Sequence, residues 1–152
     1  VVPLDDYSNS RYAAEVVQNL LVAELVEHDW SVVEPGFVTE ILLDEQRVAR
    51  GGASRAVLEI LRRELGVCWV VTGELDTFEV SPSGQEAALP SIGFGLRLID
   101  ARSSTLTASL EIERDGAEGE GLFRRGREYS MARLARSCLD EVAEWMQREG
   151  DR

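Results

Sequence analysis

Apolar positions along this chain change period several times, and each change marks an element. From Arg11 to Glu27 the residues Ala13, Ala14, Val16, Val17, Leu20, Leu21 and Leu25 cover well over half of a helical circumference, which predicts a largely buried helix. The polar run Asp5-Asp6-Tyr7-Ser8-Asn9-Ser10 ahead of it forms a turn and offers N-cap side chains. Val1 to Leu4 reads as a short first strand, the tail of one already under way, so the natural N-terminus is expected upstream. Trp30 to Glu34 reads as a second strand. Pro35-Gly36 then opens a helix with Phe37, Ile41 and Leu42, ending near Gln46 to Arg50 before the break at Gly51-Gly52.

The junction at Gly66 is the clearest local signal. A helix over Ala53–Leu65, with Ala56, Val57, Ile60, Leu61 and Leu65 on one stripe, stops at a glycine that accepts the left-handed conformation. It gives way at once to the strand 67–80, beginning Val67-Cys68-Trp69-Val70-Val71. Ser81-Pro82-Ser83-Gly84 is a turn leading to Pro90. Two alternating strands follow, one through Ile92, Phe94, Leu96 and Leu98, the other through Leu106, Ala108, Leu110 and Ile112. Asp100-Ala101-Arg102-Ser103-Ser104 joins them as a hairpin loop. Arg114 to Gly126 reads as a mobile, glycine-rich loop, and Ser130 to Arg148 as a last helix with Met131, Leu134, Ala135, Cys138, Val142, Trp145 and Met146 inward.

The predicted order is therefore β-α-β-α-α-β-β-β-α, a single-domain α/β sandwich over residues 1–152. Its mixed sheet has the strand at 67–80 in the centre and a C-terminal antiparallel meander. Helices 11–27 and 130–148 supply the main apolar cover.

Composition removes several chemistries. All 16 basic residues are arginine, so neither a P-loop nor a Schiff-base lysine exists. His28 is the only histidine, which excludes a multi-histidine metal site, and no Gly-x-Ser-x-Gly elbow accompanies it. A net charge of −12 argues against a nucleic-acid footprint. No apolar run is long enough to span a membrane. Gly51-Gly52 and Gly93-x-Gly95 do not form a dinucleotide fingerprint, so no cofactor is expected.

A few residues carry possible chemistry. Glu74 and Asp76, two apart on a strand, share a face with Thr72 and with Asp5-Asp6 make the alternative of a small-ligand-binding or metal-assisted hydrolytic domain. The plainer reading is a solvated strand face for Glu74 and Asp76, and helix capping for Asp5-Asp6. His28 ends the first helix and reads as a C-terminal cap. Cys68 and Cys138 both fall at positions expected to be buried, with a disulfide between them open. Leu122-Phe123-Arg124-Arg125 places apolar and arginine side chains on a loop with glycines at 116, 119, 121 and 126, the residue types of an interaction surface. The competing reading is neutralisation of Glu111, Glu113, Asp115, Glu118 and Glu120.

The order of elements and four segments resemble a superfamily of bacterial envelope proteins. The segments are Val1–Ser8, the passage Val32-Val33-Glu34 into a helix, Gly66–Leu75, and Leu98-Ile99-Asp100-Ala101. The superfamily includes the curli-secretion lipoproteins, the amino-terminal domain of TolB, the lipoprotein activators of penicillin-binding proteins and the auxiliary lipoproteins of ABC-type transporters. Ser103-Ser104 stands where that family's hairpin has glycine, and Cys68-Trp69 where it has a small-residue pair. The resemblance implies a non-catalytic assembly, secretion or transport accessory. It implies a periplasmic domain held at the outer membrane by a lipid anchor outside this sequence, with other envelope proteins or copies of itself as partners.

Overall fold

Thirteen residues of the strand that follows Gly66 organise the molecule. The computed structural model describes residues 1–44, 53–81, 88–117 and 127–150. Its elements are β1 (Asp5–Asp6), α1 (Ala13–Glu27), α2 (Pro35–Asp44), α3 (Arg55–Leu65), β2 (Trp69–Ser81), β3 (Leu89–Asp100), β4 (Thr105–Asp115) and α4 (Met131–Gly150). They form a four-stranded mixed sheet in the order β1-β2-β3-β4, with β1 parallel to β2 and an antiparallel β2-β3-β4 meander. The α/β class, the interior position of the 67–80 strand and the meander are as the hydrophobic pattern predicts.

The α3–β2 junction is built as its sequence dictates. Val57 N–H donates to Ser54 Oγ at 3.3 Å, and Gly66 closes the helix at φ 66 with its N–H on Arg62 O. At the other end of the chain Asp6 Oδ2 accepts from Ala14 N–H at 3.3 Å, so the first turn of α1 is capped from eight residues away.

Two apolar clusters sandwich the sheet. Leu21 and Leu25 of α1 and Leu139 and Val142 of α4 pack on Val71, Leu75, Phe94, Leu96 and Leu98. Val38 and Leu42 of α2 and Val57, Leu58 and Leu61 of α3 pack on Val2, Val70, Ile99 and Ala101. Pro3 explains how the first segment serves both. Continuing the Asp5–Glu74 register backwards, residue 3 would donate to Val71 O; proline has no N–H, and Val2 donates instead at 3.0 Å. The chain slips by one residue there, so Val2 turns to the α2–α3 side while Val1 and Leu4 face α1 and α4.

Several expectations are corrected. Residues 30–34 form no strand. Asp29, at φ 64, ends α1 with Asp29 N–H on Val26 O and Trp30 N–H on Leu25 O, a Schellman closure without glycine. Beyond it Trp30 and Val32 pack toward one cluster and Val33 toward the other. Their alternation therefore reflects two apolar layers, not a ladder. The circumference of α1 is less buried than predicted, since Val16 and Val26 are 45% and 56% exposed on its outer side. Cys68 is exposed and only Cys138 is buried, and no disulfide joins them. Arg114 and Asp115 belong to β4 and not to a loop.

Candidate partner-binding surface

The side of the sheet away from α1 and α4 is covered by α2 and α3 only at its Val70–Ile99 end. The rest is polar. The cross-strand register puts Thr72, Glu74, Thr77 and Glu79 of β2 alongside Ser91, Gly93, Gly95 and Arg97 of β3, and these beside Ser109, Glu111, Glu113 and Asp115 of β4. Glu79, Glu111, Glu113 and Asp115 are exposed, so this face is anionic. Arg97 donates to both carboxylate oxygens of Glu74, at 3.0 and 3.3 Å, a forked pair lying across the β2–β3 boundary.

The carboxylates weighed as a catalytic or metal group are not brought together. Asp5 sits beside Glu74 in the ladder, but Glu74 is held by Arg97. Asp6 accepts from Ser8 N–H at 2.9 Å and Ser8 Oγ at 2.6 Å as well as from Ala14, the capping role. Asp76 is the extra residue of a β-bulge: Leu75 pairs with Phe94 and Thr77 with the next residue, Gly93. The bulge takes Asp76 out of the pairing with β3, and Thr77 fills the ladder position that follows Glu74 on this face. The inserted residue also returns Phe78 to the apolar side, opposite Ile92, where it packs on the α1–α4 cluster.

The segment Leu122-Phe123-Arg124-Arg125 lies outside the described residues. Its two stems are inside them and are held together. Gly116 N–H donates to Pro90 O and Glu128 N–H to Gly116 O, both at 2.8 Å. A Cβ at Gly116 would lie 2.1 Å from Glu128 O, so only glycine allows the two stems to approach this closely. Ala117 N–H on Asp115 Oδ1 and Ser130 N–H on Glu128 Oε1, each at 2.7 Å, fix the flanking backbone. The connection therefore leaves the sheet from the end where β3 begins and β4 stops, next to Asp115 of the anionic face.

On the opposite end of the sheet is an apolar cavity of about 380 Å³, with Trp30, Val32, Leu65, Val67, Trp69 and Met146 in its wall. Cys68 also lines it, with Arg102 Nη2 3.6 Å from its sulfur. His28 closes α1 as expected: its Nδ1 lies 2.9 Å from Glu24 O, and its backbone N–H reaches the same carbonyl. The sequence reading missed what α4 adds there, namely Asp140 Oδ1 at 3.3 Å from His28 Nε2. Only the four-residue spacing of Glu24 and His28 signalled it. No helix among the described residues is long and apolar enough to cross a membrane.

No family model matches the chain, and no curated protein matches its sequence. Solved structures do match. PelC from Paraburkholderia phytofirmans, a dodecamer, is similar with a TM-score of 0.67 at 15% identity, over 93% of this chain and 81% of PelC. Lipoprotein GNA1162 from Neisseria meningitidis gives 0.64 at 16% identity, over 94% of this chain and 95% of its own. Protein CT253 from Chlamydia trachomatis gives 0.56 at 12%, over 98% and 95%. The fold is thus shared with these proteins, GNA1162 among them a bacterial lipoprotein, in keeping with the segment resemblance.

Proposed function

We propose that this chain is the non-catalytic, periplasmic part of a bacterial envelope lipoprotein, an accessory that docks with other envelope proteins or with copies of itself. The observation that supports this is the fold match over more than nine-tenths of the chain to GNA1162, a lipoprotein, and to PelC, a dodecamer. The dispersal of Asp5, Asp6, Glu74 and Asp76 into a ladder, a cap, an ion pair and a bulge argues in the same direction. Assembly, secretion or transport support is the role in view, with outer-membrane anchorage through a lipid.

Docking is assigned in this reading to Leu122, Phe123, Arg124 and Arg125. A phenylalanine between a leucine and two arginines combines buried area with forked hydrogen-bond donors, the pairing that dominates interface energies. The arginines pair with acidic groups of a partner, while the anionic sheet face beside the stems keeps those groups off the sheet itself.

The full-length gene product tests both parts. Processing of its precursor at a lipobox cysteine and recovery in the outer-membrane fraction support the reading; a product with no leader that fractionates with the cytoplasm overturns it. In the same strain, Phe123→Ala with Arg125→Ala is expected to keep the thermal midpoint and lose the cross-linked partner or self-oligomer. A markedly lower midpoint makes Phe123 a core residue and removes the docking assignment.

A further inference from the structure

Where the C-terminus of α1 meets the middle of α4, three side chains of metal-ligating type converge. Glu24 and His28 are one helical turn apart on α1, and Asp140 faces them from α4; one ligand atom from each lies within 4.8 Å of the others. Their environments are unequal. The Glu24 side chain is only 7% exposed, His28 is 21% and Asp140 57%, so the cluster is closed on the protein side and open toward water. A cleft lined by His28, Asp29, Trp30, Trp69, Gln147 and Gly150 lies next to the cluster.

The hydrogen-bond pattern around His28 is what singles out the cluster. A carbonyl oxygen only accepts, so the 2.9 Å approach of Nδ1 to Glu24 O puts a proton on Nδ1. In the neutral ring Nε2 then carries a lone pair, and it points at a carboxylate oxygen 3.3 Å away. Two acceptors face each other. A proton on Nε2 resolves this, and so does a cation between them. Donation of the second ring N–H to a backbone carbonyl is also how metal-bound histidines are usually oriented. Gln147 Nε2 donates to His28 O at 2.9 Å and pins the residue from α4 as well.

We infer that Glu24, His28 and Asp140 form a binding site for a divalent transition cation of the Zn²⁺ type. One imidazole and two carboxylates suit a borderline cation better than Mg²⁺ or Ca²⁺, which prefer all-oxygen sets. Donors of a tetrahedral Zn²⁺ stand about 3.4 Å apart. The His28–Asp140 separation of 3.3 Å already meets this, and the Glu24 carboxylate, now within 4.8 Å of both, would move inward to complete the set. Arg136 Nε, 3.6 Å from Glu24 Oε1, balances part of the negative charge and swings outward, its side chain being 58% exposed. Three protein ligands leave a fourth position facing water. The cation would tie α1 to α4 across the seam that covers the sheet.

The chain has one histidine, so its ring nitrogens can be followed without assignment ambiguity. The experiment is a ZnCl₂ titration of the untagged chain carrying Cys68→Ser, which removes the exposed thiol as a competing ligand, read by ¹⁵N–¹H spectra of the imidazole and by thermal melting. Before metal, the neutral ring is expected to carry its proton on Nδ1. On adding one equivalent, the Nε2 resonance shifts and the melting midpoint rises. Asp140→Asn, at an exposed position, is expected to weaken Zn²⁺ at least 10-fold while the metal-free midpoint holds. An Nε2–H tautomer, an Nε2 signal unmoved at millimolar Zn²⁺, or unaltered affinity in Asp140→Asn each overturns the inference and leaves a His28–Asp140 ion pair.

Discussion

Gly73 lies in the middle of β2, opposite Leu96, and a methyl group there has nowhere to go. Its Cβ would stand 2.1 Å from Gly95 O, 2.8 Å from Leu96 Cδ2 and 3.1 Å from Gly95 C. Ordinary carbon–oxygen contacts are about 3.3 Å or longer, so β2 and β3 must part by about 1 Å. The obstacle is backbone, and rotamers cannot relieve it. Stretching the strand spacing by that much breaks the two nearest ladder bonds, each worth roughly 1 kcal/mol net, and overpacking adds about 1–3 kcal/mol. Gly73→Ala is therefore expected to cost about 3–5 kcal/mol, a fall in Tm on the order of 10 °C for a chain of this size. Two controls separate steric from conformational effects. At Gly95 the nearest atom is Glu74 Oε1 at 3.2 Å, the movable end of a side chain, so Gly95→Ala should cost less than about 1 kcal/mol. At Gly66 nothing lies within 4 Å, but φ is +66, so Gly66→Ala should cost roughly 1–2 kcal/mol from left-handed strain alone. Urea unfolding followed by far-UV circular dichroism gives all three values. A Gly73→Ala cost within 1 kcal/mol of wild type, or below that of Gly66→Ala, refutes the close-approach argument.

Two further outcomes follow from the caps. Asp6→Ala removes the acceptor of Ala14 N–H and Ser8 N–H and is expected to cost about 0.5–2 kcal/mol in urea unfolding; unchanged stability would return Asp6 to the list of free carboxylates. Asp100 accepts from Arg102 N–H at 2.6 Å and Ser103 N–H at 3.2 Å, and these backbone donors hold its carboxyl below the ordinary range. Because the folded value is the depressed one, the stabilisation is complete above the unfolded value of about 3.9 and is lost as pH falls below it. Asp100→Asn should accordingly melt below wild type at pH 7, and the gap should narrow between about pH 4 and pH 2; a gap constant with pH contradicts the assignment.

Much of the fold was legible because burial and local chemistry agree. The α3–Gly66–β2 junction combines an amphipathic stripe, a serine cap and a left-handed glycine, and all three point to one geometry. Capping by Asp6 and the burial of Val71, Leu75 and the inner stripe of α4 were legible for the same reason. The hairpin after Asp100 also forms although glycine is missing: Ser104 takes φ +56, the conformation that a glycine supplies more cheaply. Residues 30–34 misled because apolar alternation reports which sides are dry and says nothing of a backbone partner. The Glu24–His28–Asp140 cluster was hidden because its third member comes from α4, more than a hundred residues along the chain, and helix docking is not written in local period.

The two bulges show where period reading stops. In β2 the apolar positions run Val71, Gly73, Leu75 and then Phe78, an odd step that itself announces an inserted residue. In β4 Leu106, Ala108, Leu110 and Ile112 keep perfect alternation, yet the register jumps from Leu98–Ala108 to Ile99–Leu106. Thr107 is the extra residue, and Leu106 lands on the opposite face, 57% exposed. An insertion announces itself only when it moves an apolar side chain into the core. When it moves one out, the pattern before and after is indistinguishable from an unbroken strand, and the register with the neighbour decides. A surface leucine at the edge of the sheet, beside the buried Ile99, is the result of that geometry.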